Sequence, residues 1–461
     1  MKGRVDALDA LRGIAILGMA WSGLIPFGAL PEWMYHAQSP PPSHVFSPTL
    51  FGITWVDLIF PFFLFSMGAA VPLAHRDNER ALFSIGKLGL RFIKLVLFSL
   101  VVAHIQLAVV MRQESQEPYW SALGAFFTTA LVFYKPQGFL KHGWAVPSVL
   151  ALGIVGSMIT SIQFKDGFGP SLARFDVILM VLANVSLTGG LIWLATRNRA
   201  SVRCLVMLAV AVIFLAADSG GVASEIWKWT PLPGIYQFSY QKYLLIVLPA
   251  TFIGDALAKR VHESVREVDD QVSASRYIFW TSRFMLAAIC LLLLVLVVVG
   301  LKARLVTETT FMSFGLICAS CLLVYRTNDV LRHAIYWGSA LLLIGLLCEP
   351  IGGGIRKDSP TLSYFFVGGG LAHFALAMMC ILRDSLRRWR SFLADVGANP
   401  MLAYVGITNL VPAVAALSGL DRYVFNIHLD PWPRAGIALV EALVVGLVAA
   451  ACTRGKLFLR A

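Results

Sequence analysis

Two histidines and one carboxylate stand close together near the N-terminus. His36 and His44 flank Pro40-Pro41-Pro42, and Asp57 follows Thr54-Trp55-Val56. Imidazole titrates near neutrality and is a natural general base. The prolines stiffen the segment and remove backbone donors, so the rings are expected to be held in place. A carboxylate beside such a ring can orient it and stabilise its charged form. Asp57 also has a purely structural account. It is an acid in the first turn of a helix that Thr54 is placed to cap, where the dipole favours it. His36, His44 and Asp57 are the catalytic candidates.

The elements that must position them are membrane spans. The chain has 461 residues, of which 58% are hydrophobic and only 14% charged, with a mean hydropathy of +0.73. Soluble domains carry roughly 25% charged residues. Apolar runs of about 20 residues recur along the chain, long enough to cross the bilayer as helices. The fold class is therefore all-α, a polytopic helical membrane protein forming a single integral domain over residues 1–461. A β-barrel would alternate in short segments. Fourteen candidate spans fall at about 10–30, 53–74, 88–111, 119–134, 144–161, 175–196, 203–217, 240–258, 284–301, 306–325, 334–350, 361–382, 400–418 and 434–452; the fourth, seventh and tenth are short or polar, and the expected total is about 12–14.

The net charge of +12 follows from Lys and Arg collecting in cytoplasmic loops, and nucleic acid is not an expected partner. Arg76 to Lys94, Lys259 to Arg283, Arg383 to Arg390 and the tail from Arg454 all fall on one side, whereas the opposite loops carry Pro and Trp. Both termini are expected to be cytoplasmic, the Tyr35–Gly52 loop external, and residues 259–283 a solvated cytoplasmic loop. No cleavable signal peptide, no internal repeat and no disulfide framework are read from the sequence. Cys318 and Cys321 lie on a span, where packing is the expected role. No Walker loop, dinucleotide fingerprint or zinc pattern is present, and no metal is expected.

Further polar residues sit at helix mouths. Asp9 and Arg12, three apart, can pair on one helix face. Asn399-Pro400 opens a span with a good cap and first-turn residue. Exposed N–H groups there, with Arg387 and Arg388 just upstream, suit a phosphate. Arg356 and Lys357 follow Gly352-Gly353-Gly354 in an outer loop leading to Tyr364, and they run against the charge bias. Lys242 opens another span from the outside, where a snorkelling lysine is the structural alternative. His104 and His373, inside spans, are expected to make interhelical hydrogen bonds.

These residues resemble a known family. Asp9-Ala-Leu-Arg12-Gly13, a histidine loop, then Thr54-Trp-Val-Asp57-Leu-Ile-Phe-Pro-Phe-Phe-Leu-Phe-Ser-Met-Gly68 look like the catalytic region of heparan-α-glucosaminide N-acetyltransferases, and most like their bacterial DUF5009 or NagX-like branch. Residues 1–75 carry most of the likeness; the stretches Ser359–Gly370 and Gly397–Tyr404 resemble later motifs. The resemblance implies a transmembrane acetyltransferase of the bacterial inner membrane. Its donor would be cytoplasmic acetyl-CoA and its acceptor the amino group of a glucosamine-type sugar on the periplasmic side. It implies one active-site histidine; His36, in Tyr-His-Ala-Gln, matches the family element better than His44. Where the family tends to carry Asn late in the first span, this chain has Trp21-Ser22-Gly23, so the role of that Asn is either lost or passed to Ser22. The expected ligand set is Arg12, Arg387, Arg388 and Asn399 for the cofactor, and Asp9, Ser22, Lys242, Arg356, Lys357 and Tyr364 for the acceptor. A homodimer is compatible with the chain. The rival reading is an inner-membrane transporter of amino sugars, which would more often show two related halves.

Overall fold

The computed structural model describes residues 5–75, 81–106, 117–134, 145–161, 169–263, 276–325, 327, 329–382, 387–420 and 430–459. Helices account for nearly all the regular structure, and no β-strand occurs among the described residues. In chain order they are α1 (Asp6–Leu24), α2 (Trp55–Ala74), α3 (Ala81–Ile105), α4 (Glu117–Phe133), α5 (Ala145–Ser161), α6 (Val177–Thr196) and α7 (Ala200–Leu215). The short α8 (Gly221–Lys228) precedes α9 (Leu244–Glu263), α10 (Arg276–Lys302), α11 (Val306–Val324), α12 (Asp329–Leu347) and α13 (Leu362–Ile381). The chain closes with α14 (Arg387–Gly397), α15 (Pro400–Val405), α16 (Val411–Leu417) and α17 (Pro431–Arg454).

Among the described residues, ten segments are long and apolar enough to cross a membrane; α4, α5 and α7 are apolar but shorter. The expected total of 12–14 is thus met only when these shorter helices are counted. The expected span near 240–258 is α9. Its first half is fully buried from Leu244 to Leu248, and its second half turns polar, with Asp255, Lys259, Arg260 and Glu263. It is a core helix packed on α2, α12 and α13. Of the expected loop 259–283, the flanks extend α9 and α10, while 264–275 lie outside the described residues.

Helices α2 and α13 are the most enclosed of the spans, and α11 the least. Exposed large apolar side chains on α3, α10 and α11 are what a lipid-facing surface requires, because hydrocarbon is as apolar as they are. Helix α1 crosses α14 at two glycines. A Cβ on Gly13 would lie 2.0 Å from the Leu393 carbonyl oxygen, and one on Gly397 would lie 1.9 Å from that of Asp9. Only glycine permits backbones to meet so closely.

The bundle has two distinguishable ends. At one, the start of α1 meets Gly397 and Asn399, and Asn399 holds the C-terminal segment at Leu457 and Leu459; this is the terminal end. At the other, the α1–α2 loop meets the α10–α11 turn and the α12–α13 loop. There Lys302 pairs with Glu32 at 3.2 Å, and the Gly52 N–H donates to Ile355 at 2.8 Å. Gly52 has φ +107°, and a Cβ on it would lie 3.1 Å from the Lys302 Cα, so no other residue closes this corner without strain. This is the histidine end.

Candidate active site

Helix α2 begins at the histidine end because Thr54 is extended and Asp57 returns to it. Asp57 Oδ2 accepts the Thr54 N–H at 2.9 Å, and the Asp57 N–H donates to the Thr54 carbonyl at 3.1 Å. That is half of a reciprocal cap. The Thr54 hydroxyl donates to the Tyr35 carbonyl at 2.7 Å, which ties the loop to the helix start. Asp57 Oδ2 also accepts the Ala37 N–H at 3.1 Å. Its other oxygen, Oδ1, lies 2.7 Å from His36 Nδ1. Asp57 therefore serves both accounts at once: one oxygen caps the helix, and the other holds the histidine. Three N–H groups point at a wholly buried carboxylate, the pattern of an ionised acceptor.

A carboxylate can only accept, so the short contact assigns the proton to His36 Nδ1. Nε2 then carries the lone pair. The His36 side chain is 43% exposed while Asp57 is 0%, so the ring is gripped by the carboxylate at Nδ1 and keeps an exposed side. Lys357 Nζ lies against the ring, 3.1 Å from Nδ1, 3.5 Å from Nε2 and 3.9 Å from Asp57 Oδ1, and its contact with Nε2 is a long hydrogen bond. The Tyr364 hydroxyl, buried, donates to the Asp57 carbonyl at 3.0 Å and fixes the first turn of α2 to α13.

His44 is placed quite differently. Its Nε2 accepts the Gly28 N–H at 2.7 Å, and its Nδ1 lies 3.1 Å from the Ser39 carbonyl, to which it donates. The rings of Phe27 and Tyr35 meet it edge-on, each at 4.5 Å. Its backbone is left-handed, φ 51°, an unfavourable state for a residue with a Cβ. Both nitrogens are spent on the loop, so His44 is a staple of that loop.

The other expected acceptor residues divide. Arg356 donates to the Pro48 carbonyl at 2.9 Å and lies over Phe51, so it locks the α12–α13 loop onto the histidine loop and delivers Lys357. Lys242 lies over Trp227 and Tyr243. Burial pushes its ammonium below the ordinary lysine value, and Asp358 opposes that. Asp9 and Ser22 are not brought to His36. Ser22 donates to the Met19 carbonyl within its own helix, and Asp9 belongs to the terminal end.

There Arg12 gathers three elements. Its guanidinium donates to Asp9 Oδ1 at 3.0 Å, to the Gly397 carbonyl at 3.2 Å, and to the Ser66 carbonyl and hydroxyl at 3.1 and 3.3 Å. The expected i,i+3 pair forms and is extended to α2 and α14. Asn399 spends its amide on the chain end: Nδ2 donates to the Leu457 carbonyl at 2.8 Å and Oδ1 accepts the Leu459 N–H at 3.0 Å. Arg387 and Arg388 are exposed at the start of α14 and do not line the cavity described below. His104 donates from Nδ1 to the Leu100 carbonyl of its own helix and accepts at Nε2 the N–H of Ser171, in the segment before α6, where a helix-to-helix bond was expected. The His373 ring donates to the Gly369 carbonyl and packs on Phe65.

A cavity of about 440 Å³ extends from the terminal end along α2 as far as Ile59, and neither His36 nor Asp57 lines it. That volume is typical of small-molecule sites. Its polar lining includes Asp9, Arg12, Arg91 and Tyr404, and its walls are apolar side chains of α1, α2, α3 and α6. Along α2 it is lined from Ala74 to Ile59, about 22 Å at 1.5 Å per residue, which ends within one turn of Asp57. Of the expected cofactor residues only Arg12 lines it. Arg91 was not singled out from the sequence. It sits in a charge cluster with Lys87 and Lys94, and the cavity it shares with α2 is a tertiary fact that spacing does not carry.

No curated protein matches this chain. A family described as a domain of unknown function, DUF5009, matches residues 4–257. The match covers α1, the histidine loop, α2 and the helices up to α9, more than half of the 461 residues, and the chain therefore belongs to the DUF5009 family.

Proposed function

We propose that this protein is a multi-pass acetyltransferase of the heparan-α-glucosaminide N-acetyltransferase type. It takes acetyl-CoA at the terminal end and an amino sugar at the histidine end. The observation that carries this reading is the His36–Asp57 pair at 2.7 Å, in which Nε2 of the half-exposed ring meets only Lys357 among the described residues, at the head of the same helix that walls the cavity. The cavity suits a long, mostly apolar arm with an anionic head: arginines 12 and 91 lie toward the terminal end, and apolar walls continue to Ile59 and Phe60.

In this reaction the acceptor enters as the neutral amine, and His36 Nε2 removes its proton as nitrogen attacks the thioester carbonyl. The C–N bond forms, the C–S bond breaks, and the CoA thiolate leaves, taking up the proton from the imidazolium. Asp57 orients the ring and balances its transient charge. The same open nitrogen also suits a covalent route, with acetyl carried briefly on Nε2. Acid quenching followed by peptide mapping distinguishes the two. Under this reading the terminal end faces the cytoplasm of a bacterial inner membrane and the histidine end faces the periplasm.

The rival transporter reading draws on one feature. Between α15 and α16 the chain forms a π-helical turn, Gly406–Leu410, and such breaks are common at functional sites. The test that separates the readings is incubation of the purified protein with radiolabelled acetyl-CoA and a panel of amino sugars. Labelled N-acetyl product supports the enzyme. Amino-sugar uptake into proteoliposomes without acetylation supports the transporter.

A further inference from the structure

The buried Asp57 carboxylate raises a question that the pairing with His36 does not answer by itself. An anion with no exposure needs a cation close by. Were the imidazole the only partner, the favourable state would be an imidazolium, in which both nitrogens carry protons. Such a ring can neither accept a proton nor attack a carbonyl.

The cation is already present. Lys357 Nζ lies 3.9 Å from Asp57 Oδ1 and 3.1 Å from His36 Nδ1. It is delivered by a loop held in place at Gly52, Pro48 and Phe51. We propose that Lys357 is the charge-compensating residue of this site: its ammonium balances Asp57, so that His36 rests neutral with Nε2 unprotonated. The proposal rests on the reading of His36 as the reactive histidine, and it goes beyond it by assigning the resting protonation state to a third residue. The ammonium also reaches Nε2 at 3.5 Å, a long contact that an unprotonated nitrogen accepts and an imidazolium N–H does not. It lies near both ring nitrogens at once, a position above the ring or beside the carbon between them.

The other groups facing the ring do not supply this charge. From the Lys357 loop comes Asp358, half-exposed and 4.0 Å from Nζ. From α13 comes neutral Tyr364, bonded to the Asp57 carbonyl. Lys242 and Tyr243, from the turn before α9, interact with Asp358. Within the loop itself, Glu32 is paired with Lys302 and the Tyr35 hydroxyl is bonded to Pro26.

The test needs neither acetyl-CoA nor an acceptor, so its outcome is separable from that of the transferase assay. Diethyl pyrocarbonate carbethoxylates neutral imidazole, and peptide mapping follows His36 in the full-length protein across pH. The half-maximal pH of His36 modification is expected to rise by about one unit or more in Lys357→Gln, since a charge within 4–6 Å shifts titration by ~1–3 units. It is expected to stay in place in Lys357→Arg. In Asp57→Asn with Lys357→Gln it should fall back, because the anion that favours the protonated ring is gone. His44 is the internal control, since both of its nitrogens are bonded and it should resist the reagent throughout. If His44 becomes reactive in the glutamine variant the loop has opened, and the comparison passes to Lys357→Met, which keeps the length of the stem. A His36 profile that superimposes on wild type in the closed-loop variant overturns the proposal, as does one that moves to lower pH.

Discussion

The two polar clusters on α2 are built from similar parts and end in different states. At the terminal end Asp9 and Arg12 pair at 3.0 Å, and the guanidinium also reaches Ser66 and Gly397. At the histidine end Asp57 and His36 pair at 2.7 Å with Lys357 above them. Ser66 is nine residues along α2 from Asp57, about 14 Å. Arginine has only donors, always charged, and here they join three helices. Histidine has a donor and an acceptor, and only the donor is used by Asp57. The difference teaches where chemistry resides: in the valence that the fold leaves open. The same contrast separates His36 from His44, eight residues apart in one loop, because His44 has both nitrogens bonded to backbone.

The largest expected effect breaks the histidine end. His36→Ala should lower acetyl transfer by ~10²–10⁴-fold while leaving CoA binding unchanged. Single-turnover rates with labelled acetyl-CoA check it. Normal turnover would end the active-site reading of this loop.

Asp57→Asn should lower transfer less than loss of the ring. The asparagine retains a weaker acceptor for Nδ1–H, but it no longer stabilises an imidazolium. Its kcat should fall between those of His36→Ala and wild type, with KM for acetyl-CoA little changed; a fall in CoA affinity of the same size would instead place Asp57 at the donor.

Breaking the terminal end should act on stability. Arg12→Met strands Asp9 and the Gly397 carbonyl in a mostly buried place. Loss of one partner of such a pair costs about 3 kcal/mol, readable as a clear fall in the apparent melting temperature. His36→Ala, measured side by side, should fall less, because Lys357 remains to balance Asp57. His44→Ala should cost about 1 kcal/mol, since it leaves the Gly28 N–H without its acceptor, and should retain transfer. Should His44→Ala be inactive and stable, the contrast between the two histidines fails.

The smallest effect sharpens the cavity assignment. CoA should raise the melting temperature, as any ligand of the folded state must. Arg91→Ala should diminish that rise, whereas Arg387→Ala with Arg388→Ala should leave it intact, because those two side chains are exposed on α14. Equal losses in both variants would return α14 to the donor site.

Much of this architecture is legible in the primary structure. The membrane class, the all-α fold and the positions of nearly all the helices follow from runs of apolar residues, because hydrocarbon admits only segments that satisfy their own backbone. Local pairings are legible for the same kind of reason. Thr54 with Asp57, and Asp9 with Arg12, are three residues apart, and helix geometry alone brings them together. What only the tertiary structure decided is the allocation of bonds between distant segments. Lys357 reaches His36 across 321 residues of chain, and Arg12 reaches Gly397 across 385. The cation-rich outer loop stood out in the sequence as an exception to the charge bias; that its lysine covers a particular imidazole did not. Asn399 looked available for a phosphate until the C-terminal segment was seen to occupy both ends of its amide. A sequence states which donors and acceptors exist. Which of them remain open is settled by packing, since a buried polar group must find a partner wherever the fold supplies one.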